Sequence, residues 1–197
     1  LLPATLWGSN VNDFFNFDDG RARDDESIFA TLDTDQVNAI RAIFSNRSLQ
    51  VFTSGAEFYV RESPVTPSNI AVQPQTNLGA KQVRPVSIDG VTIFVQKTGK
   101  VLNQFVYSDE LQSNQALSIS SLSSHLIKDP VKLAVKRGTS DSDANYVYSL
   151  NADGTLTVLN TLSSEDVQAF TTWTTIGDIQ SIAVVDSLIY MLVKRFV

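Results

Sequence analysis

The stretch VSIDGVTIFVQKTGKVLNQFVYS, residues 86–108, constrains the fold more than any other. Three runs of alternating and β-branched residues are parted by Asp89-Gly90 and Thr98-Gly99. An Asp-Gly pair between such runs signals a two-residue hairpin, because a type I′ turn needs positive φ at both central positions. The same plan recurs downstream as VKLAVKR, the polar loop GTSDSDAN, YVYSL, the turn NADG, TLTVLN and AFTTWTT. Upstream stand AIRAIFSN, SLQVFTS, a turn at Gly55 and AEFYVR; at the end stand IQSIAVVD and LIYMLVKRF. Arg41, Pro85, Leu133 and Ile182 mark one point in successive groups, at spacings of 44, 48 and 49 residues.

Units of about 40–50 residues with four short antiparallel strands are the pattern of β-propeller blades. The expectation is an all-β chain: a single β-propeller-like domain over residues 1–197, an array of about four antiparallel blades, some incomplete, with a few short helices. Its units fall roughly at 1–62, 80–110, 129–176 and 178–197. A β-sandwich or plain meander is the alternative, since hairpins at about 8–12-residue spacing serve those folds equally. The last unit offers two strands where the preceding one offers four, and an apolar edge such as LIYMLVKRF invites pairing. Further sequence, the N-terminal segment closing a ring, or a neighbouring subunit is expected to cover it. With Leu rather than Met at its head, the chain reads as a fragment of something longer.

Three short helices are expected, at residues 33–43 (DTDQVNAIRAI), 114–127 (NQALSISSLSSHLI) and 163–170 (SSEDVQAF). In the last, Ser163 stands as an N-cap before Glu165 and Asp166 in the first turn. No apolar run approaches the roughly 18 residues of a membrane helix.

The net charge of −6 is concentrated at one end. Residues 1–35 hold eight acids against Arg21 and Arg23, and the rest of the chain balances. Without a basic excess, tight sequence-reading nucleic-acid binding loses its electrostatic support. The absence of cysteine excludes disulfides, thiolate metal sites and cysteine nucleophiles.

LWGSNVNDFFNF, residues 6–17, runs into DDGRARDDE and mimics an acidic metal loop. With Gly20 at position 6 of an EF-hand frame, Asp19 and Glu26 fall at positions 5 and 12, but Phe15 and Phe17 take the ligand positions 1 and 3. Phenyl rings cannot coordinate a hard cation. The Asn and Asp residues therefore read as turn formers. Phe15 and Phe17 are expected on one strand face, packing with Trp7 and Trp173 in the core.

His125 is the single histidine. Serines surround it because the segment is serine-rich, and neither G-x-S-x-G nor S-x-x-K is present. The adjacent carboxylates Asp24/Asp25 and Glu165/Asp166 would point to opposite faces of a strand and make no glycosidase pair. Phosphate loops of the G-x-x-x-x-G-K-[ST] and G-x-G-x-x-G types are absent. Lys128, Lys132, Lys136 and Arg137 form the densest basic cluster. They could meet phosphate or an acidic partner, but lysines on an exposed strand also deter edge pairing, and that reading is preferred. No catalytic, cofactor-binding or metal-binding residue is assigned.

The long connection carries a more specific signal. TSGAEFYV (residues 53–60), TPSNI (66–70), QPQTNLG (73–79), VRPV (83–86) and GVTIFVQKTG (90–99) follow in order, after LWGSNVNDFFNFDDG and before LNADGTLTVLN and TTWTT. In this order they resemble the tail tubular protein B, or tail nozzle, family of short-tailed bacteriophages, whose relatives include packaged-DNA stabilisation proteins. The resemblance spans about residues 6–195, with Asn151 where an Arg is common. It implies a non-enzymatic structural protein of the virion tail with β-propeller-like domains. Such proteins form a homo-oligomeric ring, usually a hexamer, below the adaptor and beside tail fibre or spike proteins. DNA leaves the capsid through the bore, touched non-specifically, and members are much longer than this chain. A balanced or acidic surface suits a conduit that must not hold phosphate. Two rivals are a carbohydrate-binding propeller stacking Tyr59, Trp173 or Tyr190 on sugars, and a propeller hydrolase built on His125 or clustered carboxylates.

Overall fold

The computed structural model describes residues 2–18, 20, 23–33, 38–61, 64–140, 143–162 and 167–195. The chain is all-β and divides into two compact units, Leu1–Ala80 and Lys81–Val197.

The first unit holds a two-stranded sheet, β1 (Thr5–Gly8) with β2 (Ile28–Thr31), and a four-stranded meander. The meander comprises β3 (Ile40–Ser45), β4 (Leu49–Thr53), β5 (Glu57–Val60) and β6 (Val72–Thr76). Its core joins Leu6 and Leu32 to Val51, Ala56 and Phe58. The Thr53 hydroxyl donates to the Ala56 carbonyl (2.7 Å) and accepts from the Ala56 amide (3.0 Å), which closes the β4–β5 turn.

The second unit contains three sheets, every pairing antiparallel. β7 (Val86–Ile88), β8 (Val91–Val95), β9 (Leu102–Ser108) and β10 (Ser113–Ser118) form one meander. β11 (Pro130–Lys136), β12 (Asn145–Asn151), β13 (Leu156–Leu162) and β14 (Val167–Trp173) form the next, and β15 (Asp178–Val185) pairs with β16 (Leu188–Lys194) alone. Asp89 and Gly90 adopt φ of 49° and 76°, as the hairpin signal requires.

The central strands of the β11–β14 sheet, β12 and β13, are covered on both faces. Val147 and Leu159 meet Ile88 and Ile93 of the preceding sheet. Tyr148, Leu150, Leu156 and Val158 meet Ile179 and Ile182 of the following one. A strand buried on both sides reads as a continuous apolar run, and that is why YVYSL and VTIFV lose clean alternation.

The expected all-β class is what the structure shows: among the described residues, five antiparallel sheets, none closed into a barrel. The helices are corrected. Residues 40–43 of the first candidate lie in β3, where Ile43 pairs with Val51, and residues 34–37 are outside the described residues. In the second candidate, residues 114–118 belong to β10, in full register with β9, and only Ser121–Leu126 winds into a short 3-10 helix. In the third, Val167 to Phe170 lie in β14, and residues 163–166 are outside the described residues.

Candidate functional site

The acidic aromatic segment is a closed loop, not a strand. The Asn10 amide donates to the Asn16 carbonyl (2.9 Å), and the Asn16 amide to the Asp13 carbonyl (3.2 Å). Phe14 and Phe15 thereby become the two corners of a turn, 77% and 94% exposed. Asn12, at φ 64°, supplies the left-handed residue the bend needs. The expected core role of Trp7, Phe15, Phe17 and Trp173 is overturned, because all four are substantially exposed. A self-bonded loop has no sheet partner to hide its rings. Trp7 and Phe29, paired in register across β1 and β2, meet edge-to-face at 4.5 Å on the surface of their hairpin.

The loop's polar groups serve its own backbone. Glu26 accepts from the Arg23 amide (2.9 Å), Asn16 from the Asp18 amide (3.0 Å), and the Ser27 hydroxyl donates to the Asp18 carbonyl (2.6 Å). Asp24 is exposed and receives a long bond from Ser68 (3.4 Å). Asp19, Glu165 and Asp166 lie outside the described residues. Among the described residues no three His, Cys, Asp or Glu side chains gather as a metal site would require.

His125 lies exposed in the last turn of the 3-10 helix. The buried serine of that segment is Ser120, whose hydroxyl oxygen accepts the Leu102 amide at 2.9 Å. The basic cluster disperses into separate tasks. Lys128 pairs with Asp153 at 2.9 Å, Lys132 donates to the Ser181 hydroxyl (3.3 Å), and Lys136 stands 5.4 Å over the Tyr146 ring. Arg137 donates to the Ser87 carbonyl (3.1 Å). Lys132 and Arg137 thus tie β11 to its two neighbouring sheets.

Two carboxylates are perturbed by local donors. Burial pushes Asp153 up, but the Thr155 hydroxyl and amide and the Lys128 ammonium outweigh it and hold the group below its ordinary value. Asp143 is lowered by the Thr139 hydroxyl and amide, with Lys136 adding to them. Burial raises Tyr148, helped by Tyr146. Asp143 and Asp153 each belong to a turn of the β11–β14 meander, where their hydrogen bonds from Thr139 and Thr155 stabilise the loops.

Sequence reasoning missed one internal junction. The Asn151 amide group donates to the Leu126 carbonyl (3.0 Å), Thr155 (3.0 Å) and Thr157 (3.1 Å), while its oxygen accepts the Lys128 amide (3.1 Å). A buried Asn before an Asp-Gly turn was the available signal.

Of the sugar-stacking candidates, Tyr59 is buried in β5, and the Trp173 ring leans on Tyr148 at 5.7 Å. Tyr190 is 56% exposed, on an apolar strand face with Leu188 and Leu192. A cleft of about 270 Å³ between the β7–β10 and β11–β14 sheets is walled by Ile88, Ile93 and Leu159, with Gln104, Thr161 and Gln168 at its polar side. Among the described residues its one carboxylate, Asp89, is held by the Asn145 amide at 3.0 Å. What the molecule presents to solvent is therefore aromatic and aliphatic surface: the Phe14–Phe15 turn, the Trp7–Phe29 pair and the outer face of β15–β16. No family model matches this chain, and no curated protein matches it.

Proposed function

We propose that this chain is a structural part of a short-tailed phage virion tail, of the nozzle or tail tubular type, acting non-enzymatically in a homo-oligomeric ring around the DNA exit channel. The observation that carries the reading is the serial stacking of antiparallel sheets in the second unit, two of four strands and one of two. There β11, the first strand of the middle sheet, lies against the first strands of both neighbours, β7 and β15. Blades of a propeller approach one another in this way around an axis, which also favours the propeller form of the fold over a sandwich. Large exposed apolar surfaces support an assembly role, since such patches mark interaction sites. The acid excess near the N-terminus and the dispersal of the lysines into contacts within the fold suit a conduit that does not grip phosphate. In this role the chain would meet an adaptor above, and fibre or spike proteins beside it.

Immunoelectron microscopy on virions assembled with this chain tests the reading. Antibody against the exposed Phe14–Phe15 loop should label the tail. Label confined to the capsid, or none on intact and detergent-opened particles, would overturn it.

A further inference from the structure

The cleft between the β7–β10 and β11–β14 sheets holds polar groups that the fold itself does not use. Ile88, Ile93 and Leu159 are buried and give it an aliphatic floor. Register sets Thr161 of β13 directly opposite Gln168 of β14, on the face that Leu159 shares, because successive side chains alternate along a strand. On the facing sheet, Gln104 of β9 pairs with Ile93 of β8. Two carboxamides and a hydroxyl therefore border one space. Among the described residues none of these three side chains has a hydrogen-bond partner of its own. Asp89 and Asn145, by contrast, hold each other at 3.0 Å.

Four features select a ligand. A carboxamide both donates and accepts, so two of them match the N–H and C=O of peptide groups better than they match an anion, which only accepts. Among the described residues no aromatic ring lines the cleft, and sugars or nucleobases find no face to stack on. The volume of about 270 Å³ lies below the roughly 300–1,000 Å³ of small-molecule and cofactor sites, and suits one side chain with its adjoining peptide groups. The Asp89 carboxylate at the end of β7 disfavours an acidic ligand. We propose that this cleft is a recognition site for a peptide segment and holds one branched aliphatic residue. Its side chain lies on the Ile88, Ile93 and Leu159 floor, and Gln104, Thr161 and Gln168 hydrogen-bond the flanking peptide groups. Exchanging solvent hydrogen bonds for these gains little, so the buried aliphatic group supplies the affinity and the amides set the orientation. The site belongs to the second unit alone and does not depend on the tail reading.

Titration of N-acetyl-L-leucinamide into the isotope-labelled chain, followed by NMR, tests it. Saturable shifts are expected at the side-chain amides of Gln104 and Gln168 and the methyl groups of Ile93 and Leu159, with a dissociation constant on the order of 1 mM for so small a probe. N-acetylglycinamide, without the aliphatic group, should bind about tenfold more weakly. N-acetyl-L-leucine, whose carboxylate replaces the terminal amide, should also bind several-fold more weakly. A capped pentapeptide with leucine between pairs of glycines should bind more tightly than the single residue, which separates a peptide site from one for small amides. Thr161→Val/Gln168→Ala should weaken binding of the pentapeptide several-fold with an unchanged circular dichroism spectrum. Shifts that fail to saturate, equal binding of the glycine or carboxylate probe, a pentapeptide no tighter than the single residue, or a folded double variant that binds as the wild type does would each overturn the proposal.

Discussion

At the scale of single residues, Asn151 shows how a side chain can be essential without signalling a site. Its amide reaches the Leu126 carbonyl, 25 residues earlier at the end of the 3-10 helix, and the hydroxyls of Thr155 and Thr157 beyond the NADG turn, and Thr157 donates to the same Leu126 carbonyl. Asn151→Ala would leave the Lys128 amide without its side-chain acceptor, while the Leu126 carbonyl keeps the Thr157 hydroxyl, and should cost about 1–2 kcal/mol in urea unfolding. Asp153 supports the same turn. Its folded pKa lies below the ordinary value of 3.8, so its stabilisation is present above that pH and fades as pH falls through the lower folded value. Because both members of its pair with Lys128 are substantially exposed, the contribution should stay under about 1 kcal/mol. The stability gap between wild type and Asp153→Asn, measured by denaturation, should therefore be small at pH 6 and close toward pH 2. A gap that holds at pH 2 would remove the electrostatic explanation.

At the scale of elements, hairpins were legible because their turn chemistry is local. Asp89-Gly90 declares its own φ values, and the strands on either side fall where the alternation put them. The helices were misread for the opposite reason. Residues 114–127 carry apolar groups at helical spacing, but the six register pairs from Ser113 to Ser118 with β9 satisfy that backbone first. Around Phe14 and Phe15 the turn-forming Asn and Asp are legible in the sequence, while the exposure of the rings is not. That correction is measurable. Phe14→Ser/Phe15→Ser should change stability by no more than about 0.5 kcal/mol. Phe52→Ala, removing a wholly buried ring, should cost about 3–5 kcal/mol. Comparable losses for the two variants would mean that the loop rings are packed.

At the scale of the whole molecule, the second unit has cores of its own. One links Val95, Leu102, Ile127 and Leu133, and another Ile88, Ile93, Val147 and Leu159. Residues 81–197 expressed alone should therefore keep a β-type circular dichroism spectrum and unfold cooperatively, and a molten fragment would contradict the division at Ala80. The all-β class and the hairpin positions follow from the sequence by itself. Each depends on neighbours within a few residues: turn φ values, alternation and β-branched side chains. The tertiary structure alone decided which apolar residues are hidden. Sequence cannot separate Phe52 from Phe15, equal in hydrophobicity, because burial depends on whether another sheet lies across the face, and that sheet comes from a distant part of the chain.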